Sequence, residues 1–155
     1  MPDTTADEAA RTIAAEHGNR PDELIEILHD VQSALGYVPE AVVPVLAQAL
    51  NLSRAEVHGV VTFYHDFRAK PAGRHVLKLC RAEACQSMGG EALVEQAEHR
   101  LGVSCGETSA DGRVTLEPIY CLGLCATAPS AMIDGRIVGR MTAERLDALL
   151  KEAGA

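Results

Sequence analysis

The segment Arg74-His75-Val76-Leu77-Lys78-Leu79-Cys80-Arg81-Ala82-Glu83-Ala84-Cys85 decides the architecture of the second half of the chain. From His75 to Leu79 apolar and polar residues alternate, the pattern of a half-buried strand, and the alternation stops at Cys80. A second cysteine follows after four residues. Thirty-five residues further on the arrangement recurs: an expected strand over Val114–Ile119 runs into Tyr120 and then Cys121-Leu122-Gly123-Leu124-Cys125. Parallel or adjacent strands bring such ends together, so two loops can present four thiolates to one point.

Working outward, Gly89 and Gly90 lead into a helix expected to end near Leu101. Further strands are expected at Val103–Thr108 and Ala131–Ile133. Asp134-Gly135 has the composition of a tight hairpin turn before a strand over Arg136–Gly139. Thr142 then caps a last helix that carries Leu146, Leu149 and Leu150 inward. The order βαβ…ββα describes an α/β sandwich of about eighty residues.

Upstream, Lys70-Pro71-Ala72-Gly73 is turn chemistry between two different periodicities, and it divides the chain into residues 1–72 and 73–155. The first part reads as a small helical bundle. Thr5 and Glu8 have capping-box spacing ahead of Ala9, Ala10, Ile13 and Ala14, and His17-Gly18-Asn19 stops that helix. A second helix runs from about Pro21 to Leu35, with Leu24, Ile27, Leu28, Val31 and Leu35 on one face and Gly36 as C-cap. Pro39 suits the first turn of a third helix ending near Leu50-Asn51, with Pro44 tolerated close to its start. Ser53 and Glu56 form a second capping box, opening a helix through Val57, Val60, Val61 and Tyr64.

The 155 residues are 47% hydrophobic and 23% charged, an ordinary globular composition that excludes overall disorder. Aromatic residues are scarce, with no Trp, three Tyr and two Phe, which speaks against base-stacking platforms. The net charge is -8, and residues 1–73 hold 11 acids against five bases. A polyanionic partner gains little from such a surface, so no nucleic-acid binding is expected. That balance also bears on Asn51–Val60, whose turn and capped helix have the outline of a DNA-reading helix-turn-helix. A bundle that docks on a partner subunit is the preferred reading.

The longest uncharged run, Pro118–Ile133, is sixteen residues with two prolines, too short and broken for a membrane span. The N-terminus has neither a basic region nor an apolar core, so no signal peptide is visible. A cytoplasmic location is expected, where thiols more often bind metal than staple a fold.

Four thiolates suit Zn²⁺ or an iron–sulfur cluster. Zinc sites favour two residues between paired cysteines, whereas a [2Fe-2S] cluster takes two thiolates on each of two irons, which favours wider loops. A helix N-terminus after Gly89 and Gly90 stabilises anionic charge, and Gly123 permits close backbone approach with N–H groups directed at sulfur. A redox disulfide of thioredoxin type needs a two-residue spacer ahead of a helix, and none occurs. The cluster is the favoured reading. A zinc-stabilised interaction module without redox function is the alternative from another class.

Other residues read more plainly. Cys105 is expected to be an ordinary buried or half-buried thiol. His17, His29, His58, His65, His75 and His99 lack partners at metal-ligand spacing and read as surface or packing residues. Arg81 and Glu83 read as solvated loop residues. The sharper alternative is that Arg81 offsets cluster charge or meets a partner subunit, with Arg136 and Arg140 serving the same interface. Phe63, Tyr64 and Phe67 read as core or interface.

The C-x4-C and C-x3-C pairs, the stretch Cys121-Leu-Gly-Leu-Cys-Ala-Thr-Ala-Pro129, Val60-Val61-Thr62-Phe63-Tyr64 and the preceding bundle resemble one family over about residues 10–150. It is the thioredoxin-like [2Fe-2S] subunit of NADH dehydrogenases, the 24 kDa or E-type subunit of respiratory complex I and its relatives. The variant Cys80-Arg-Ala-Glu-Ala-Cys85-Gln-Ser-Met-Gly89 looks most like the gamma subunit of soluble NAD-dependent, molybdenum-containing formate dehydrogenase.

The resemblance implies a helical bundle followed by a thioredoxin-like ferredoxin domain. It maps the four family ligands onto Cys80, Cys85, Cys121 and Cys125. It implies one-electron transfer or storage beside a larger iron–sulfur subunit that binds FMN and NAD, with a further catalytic subunit carrying the molybdenum cofactor. Equivalent subunits of complex I or of a bidirectional NAD-linked hydrogenase are the nearest alternatives. The chain itself shows no Gly-x-Gly-x-x-Gly and no P-loop, so nicotinamide, flavin and formate chemistry is assigned to partner subunits, and no activity is expected of it alone.

Overall fold

A computed structural model describes residues 4–155. The chain divides between Pro71 and Ala72 into two compact units, each with its own core.

The first unit is helical: α1 (Thr4–Glu16), a short 3₁₀ turn at Pro21–Glu23, α2 (Leu24–Leu35), α3 (Val42–Leu50) and α4 (Arg54–Phe63). Ile27, Leu28 and Val31 of α2, Val42 and Leu46 of α3, and Val57 of α4 are buried together with Ala10 and Ala14 of α1. The small side chains of α1 let its backbone lie close to α2 and α3, which it contacts. Gly36 ends α2 in the left-handed conformation (φ 82°), its N–H donating to Gln32 O at 2.7 Å. The box at Ser53 forms as expected: Ser53 N–H donates to Glu56 Oε2 at 2.7 Å, and Glu56 N–H to Ser53 Oγ at 3.2 Å.

Two of the expected helix starts differ. Thr5 lies inside α1, which is already helical at Thr4, and so does not cap it. Pro39 stands ahead of α3: Val42 N–H and Val43 N–H donate to the carbonyls of Pro39 and Glu40 in single turns before the helix starts. Pro44 thereby falls on the third residue of α3, where a missing N–H leaves no helical bond unmade.

The second unit begins with β1 (His75–Cys80), followed by α5 (Glu83–Ser87), α6 (Gly90–Leu101), β2 (Val114–Ile119), a 3₁₀ turn at Cys125–Thr127, β3 (Ala131–Ile133), β4 (Arg136–Val138) and α7 (Ala143–Glu152). The sheet order is β2-β1-β3-β4. β1 pairs in parallel with β2, and the β1/β3 and β3/β4 pairs are antiparallel. α6 supplies the crossover between the parallel strands and packs on β1, β2 and α7. Leu77, Leu79, Val114, Leu116, Ala131 and Ile133 of the sheet meet Leu93, Val94 and Ala97 of α6 and Leu146, Leu149 and Leu150 of α7. Thr142 caps α7 by accepting from Arg145 N–H at 3.3 Å.

The strand expected at Val103–Thr108 does not form. Gly102 (φ 66°) and Gly106 (φ 101°) turn the chain, and carboxylates take backbone donors that a strand would use. Cys105 N–H donates to Glu98 Oε1 and Ser104 N–H to Glu107 Oε2, both at 2.8 Å. What remains is a short pairing with β2, a bridge between Thr108 and Thr115 with Gly106 N–H donating to Leu116 O at 2.7 Å and Leu116 N–H to Glu107 O at 2.9 Å. α5, lodged inside the first cysteine loop, was no part of the sequence expectation.

Gly90 opens α6 against that loop. A Cβ built there meets the carbonyl oxygen of Cys85 at 2.7 Å and that of Cys80 at 3.3 Å. Backbone oxygens cannot swing away, so Gly90→Ala is expected to force α5 and α6 apart at a cost of about 1–3 kcal/mol. Thermal unfolding of the variant checks this, and an unchanged midpoint would contradict it.

In the first unit His17 bridges two carboxylates, Nδ1 to Glu23 Oε2 at 2.6 Å and Nε2 to Asp30 Oδ2 at 2.8 Å. Asp30 and then Glu23 hold its imidazole above the ordinary value of 6.5. A raised folded-state value means that the contribution is complete below pH about 6.5 and is lost as pH rises through the folded value. An NMR titration of the ring is expected to give a midpoint above 6.5. In His17→Gln the fall in stability across neutral pH should flatten.

Candidate functional site

Strand pairing brings the cysteines together. Cys80 ends β1 and is in register with Ile119 at the end of β2, since parallel strands finish on the same side of a sheet. Arg81 N–H extends that ladder to Ile119 O at 2.8 Å, and Cys121 follows two residues later. On the other flank β3 runs into β1 from the opposite direction. Its ladder continues as Cys80 N–H donating to Ser130 O at 3.1 Å, so the turn holding Cys125 lies just ahead of the strand. α5 carries Cys85, which is buried and contacts the Cys80 thiol at the end of β1.

The four thiols fall into two kinds. Cys80 and Cys85 are buried, whereas Cys121 and Cys125 are exposed. Cys121 Sγ and Cys125 Sγ are 3.6 Å apart, a pair able to bind a single metal atom. Cys121 has a φ of 93°, a conformation rarely adopted by a side-chain-bearing residue, and its sulfur accepts from Gly123 N–H at 3.3 Å. Cys85 Sγ lies 3.5 Å from Ser130 Oγ.

Their electrostatics are shared. Burial pushes the Cys80 thiol up, but N–H groups of Ala82 and Cys121 and contacts with Cys85 and Ser130 outweigh it and hold the thiol below the usual range. Cys125 is pushed up, first by its bond to Cys121 and then by the charges of Cys121, Cys85 and Cys80. Negative charge at all four sulfurs is therefore mutually repulsive, and a cationic metal core offsets it. Among the described residues no three Cys, His, Asp or Glu side chains are grouped for one metal ion. Thiols arranged as two pairs fit a two-iron core, which takes two thiolates on each iron.

Arg81 is not a solvated loop residue. Its guanidinium forms a two-point pair with Glu91 in the first turn of α6, Nε to Oε1 at 3.0 Å and Nη2 to Oε2 at 2.7 Å. Its own carbonyl accepts from Gln86 Nε2 at 2.7 Å. The pair clamps the first cysteine loop onto α6, and Glu91 balances the cation beside Cys80. Arg136 is committed elsewhere, to Glu152 at 2.7 Å. Cys105 is half-buried, its thiol pushed up by burial against the pull of Arg81. Three histidines have carboxylate neighbours: His17 with Glu23 and Asp30, His29 with Asp66, and His75 with Asp134.

Sequence reasoning missed Glu91 and Ser130. Each reaches the cysteine loops from a distant element, and no local spacing announces either.

Residues 10–154 match the family model described as thioredoxin-like [2Fe-2S] ferredoxin. The chain is 38% identical over 127 residues to the E-type subunit of NADH-quinone oxidoreductase from Pseudomonas aeruginosa, covering 82% of this chain and 76% of that protein. It is 32% identical over 129 residues to the HndA subunit of the NADP-reducing hydrogenase from Solidesulfovibrio fructosivorans, covering 83% and 75%. Among solved structures, a chain of an NAD⁺-reducing [NiFe]-hydrogenase in the air-oxidized state superposes with a TM-score of 0.72 at 28% identity. That match covers 85% of this chain and 23% of the hydrogenase chain. With the paired thiols at the strand ends, these likenesses place the chain in the thioredoxin-like [2Fe-2S] ferredoxin family.

Proposed function

We propose that Cys80, Cys85, Cys121 and Cys125 hold one [2Fe-2S] cluster and that the chain is an electron-transfer subunit beside a flavin- and NAD-binding partner. The observation that carries the reading is the convergence of both cysteine pairs on the end of β1, one buried and one exposed. A [2Fe-2S] cluster gains and releases one electron at a time. The chain's own residues hold the thiolates in two pairs, direct the Gly123 N–H at the Cys121 sulfur, and pin the first loop through Arg81 and Glu91. Met88 and Tyr120 flank the cysteines in sequence and are 62% and 69% exposed, apolar surface suited to a partner subunit. No helix among the described residues is long and apolar enough to cross a membrane.

The loop from Cys80 to Gly89 supports an NAD-dependent, molybdenum-containing formate dehydrogenase as the parent complex, with this chain as its gamma-type subunit. The relatives support a second reading. Those named above belong to NADH-quinone oxidoreductases and NAD(P)-linked hydrogenases. Both readings share the flavin and nicotinamide partner and differ in the catalytic subunit.

The chain purified anaerobically is expected to be brown, with two irons and two sulfides per chain. Replacing any one of Cys80, Cys85, Cys121 or Cys125 by alanine should abolish or disrupt that centre, whereas Cys105→Ala should keep it. Iron and sulfide analysis with the visible spectrum checks both, and a colourless chain holding one zinc would sink the electron-transfer reading.

The isolated chain should not reduce NAD⁺ with formate. The complex captured through a tag on this chain should do so if the formate dehydrogenase reading holds. Quinone-linked NADH oxidation or hydrogen-dependent NAD⁺ reduction by that complex would instead support the second reading.

A further inference from the structure

Ser130 is 3% exposed. Its carbonyl, bound to Cys80 N–H, fixes it opposite the end of β1, and its Oγ lies 3.5 Å from Cys85 Sγ. Among the described residues, the two other buried polar residues, Gln32 and Thr115, have oxygen or nitrogen partners. Gln32 is held by Asp66 O and Arg68 N–H, and Thr115 by Gly73 N–H and the Thr108 hydroxyl. The side-chain contacts of Ser130 are to sulfur, that of Cys85 at 3.5 Å and also that of Cys80. A neutral thiol is a weak hydrogen-bond partner for a buried hydroxyl, whereas a thiolate accepts strongly. A hydroxyl buried on sulfur is therefore best satisfied by a metal-ligating cysteine, whose sulfur is a strong acceptor.

We infer that the Ser130 hydroxyl donates to the Cys85 sulfur and raises the reduction potential of the centre, making Ser130 a positioning residue for the electron. This rests on the ligand assignment proposed above. One added electron places more negative charge on the ligating sulfurs. The proton stays on Ser130 throughout, no bond is made or broken, and the hydrogen bond strengthens. The reduced form is thus stabilised relative to the oxidised one.

The test is redox titration of the full chain with its cluster, followed by the electron paramagnetic resonance of the reduced form. Ser130→Ala is expected to shift the one-electron equilibrium toward the oxidised form by about tenfold, or about 59 mV, the scale of one net hydrogen bond. Ser130→Thr keeps a hydroxyl and should hold the original potential. Ser130→Val has the shape of threonine without the hydroxyl and should fall with the alanine variant. Iron uptake by the threonine variant but not by the valine variant also supports the hydroxyl. Unchanged potentials in Ser130→Ala and Ser130→Val, each with two irons and two sulfides, overturn the inference and leave the ligand assignment standing. Failure of all three variants to load while the unmutated chain loads overturns it as well. An unmutated chain without iron overturns the ligand assignment itself.

Discussion

Two hydrogen bonds grip the end of β1 from opposite sides: Cys80 N–H to Ser130 O, and Arg81 N–H to Ile119 O. They extend an antiparallel ladder on one flank and a parallel ladder on the other. A strand so placed at the middle of a sheet has one neighbour leaving and another arriving at the same end. The chain leaving β2 carries Cys121, and the chain about to enter β3 has just passed Cys125. Shifting either register by one residue would turn its side chains to the opposite face and scatter the thiols. The apolar contacts of Leu77, Leu116 and Ile133 with α6 and α7 fix those registers, so the core of the unit and the geometry of its cysteines are one problem.

The first cysteine loop is held differently, by close packing. Gly90 lets the start of α6 rest on the carbonyls of Cys80 and Cys85, and the Arg81–Glu91 pair closes the same junction from outside. The backbone N–H groups that do reach sulfur come from the loops themselves, Gly123 to Cys121 and those of Ala82 and Cys121 to Cys80. Glu91 balances Arg81 locally, whereas negative charge on the four sulfurs is mutually repulsive and calls for a cationic core.

Much of this was legible in the residues. The two cysteine pairs at strand ends, the capping box at Ser53, the N-cap at Thr142 and the C-cap at Gly36 rest on local chemistry that a single sequence displays. Thr5 and Pro39 misled because a capping pattern or a proline permits a helix start at several neighbouring positions, and packing chooses among them. The segment Val103–Thr108 has strand-forming residues, yet Glu107 and Glu98 claim the N–H groups of Ser104 and Cys105, a competition invisible without the fold. Ser130 and Glu91 were invisible for a related reason: their roles arise from sheet pairing and helix docking between positions 45 and ten residues apart.

The division of the thiols into a sheltered pair and an exposed pair makes the two ends of a metal-loaded site chemically unequal. In the cluster proposed for these thiols, a chelator or oxidant arriving from solvent would meet Cys121 and Cys125 before Cys80 and Cys85. Any protein surface that covers the exposed pair thus acts as a shield against metal loss as well as a docking face.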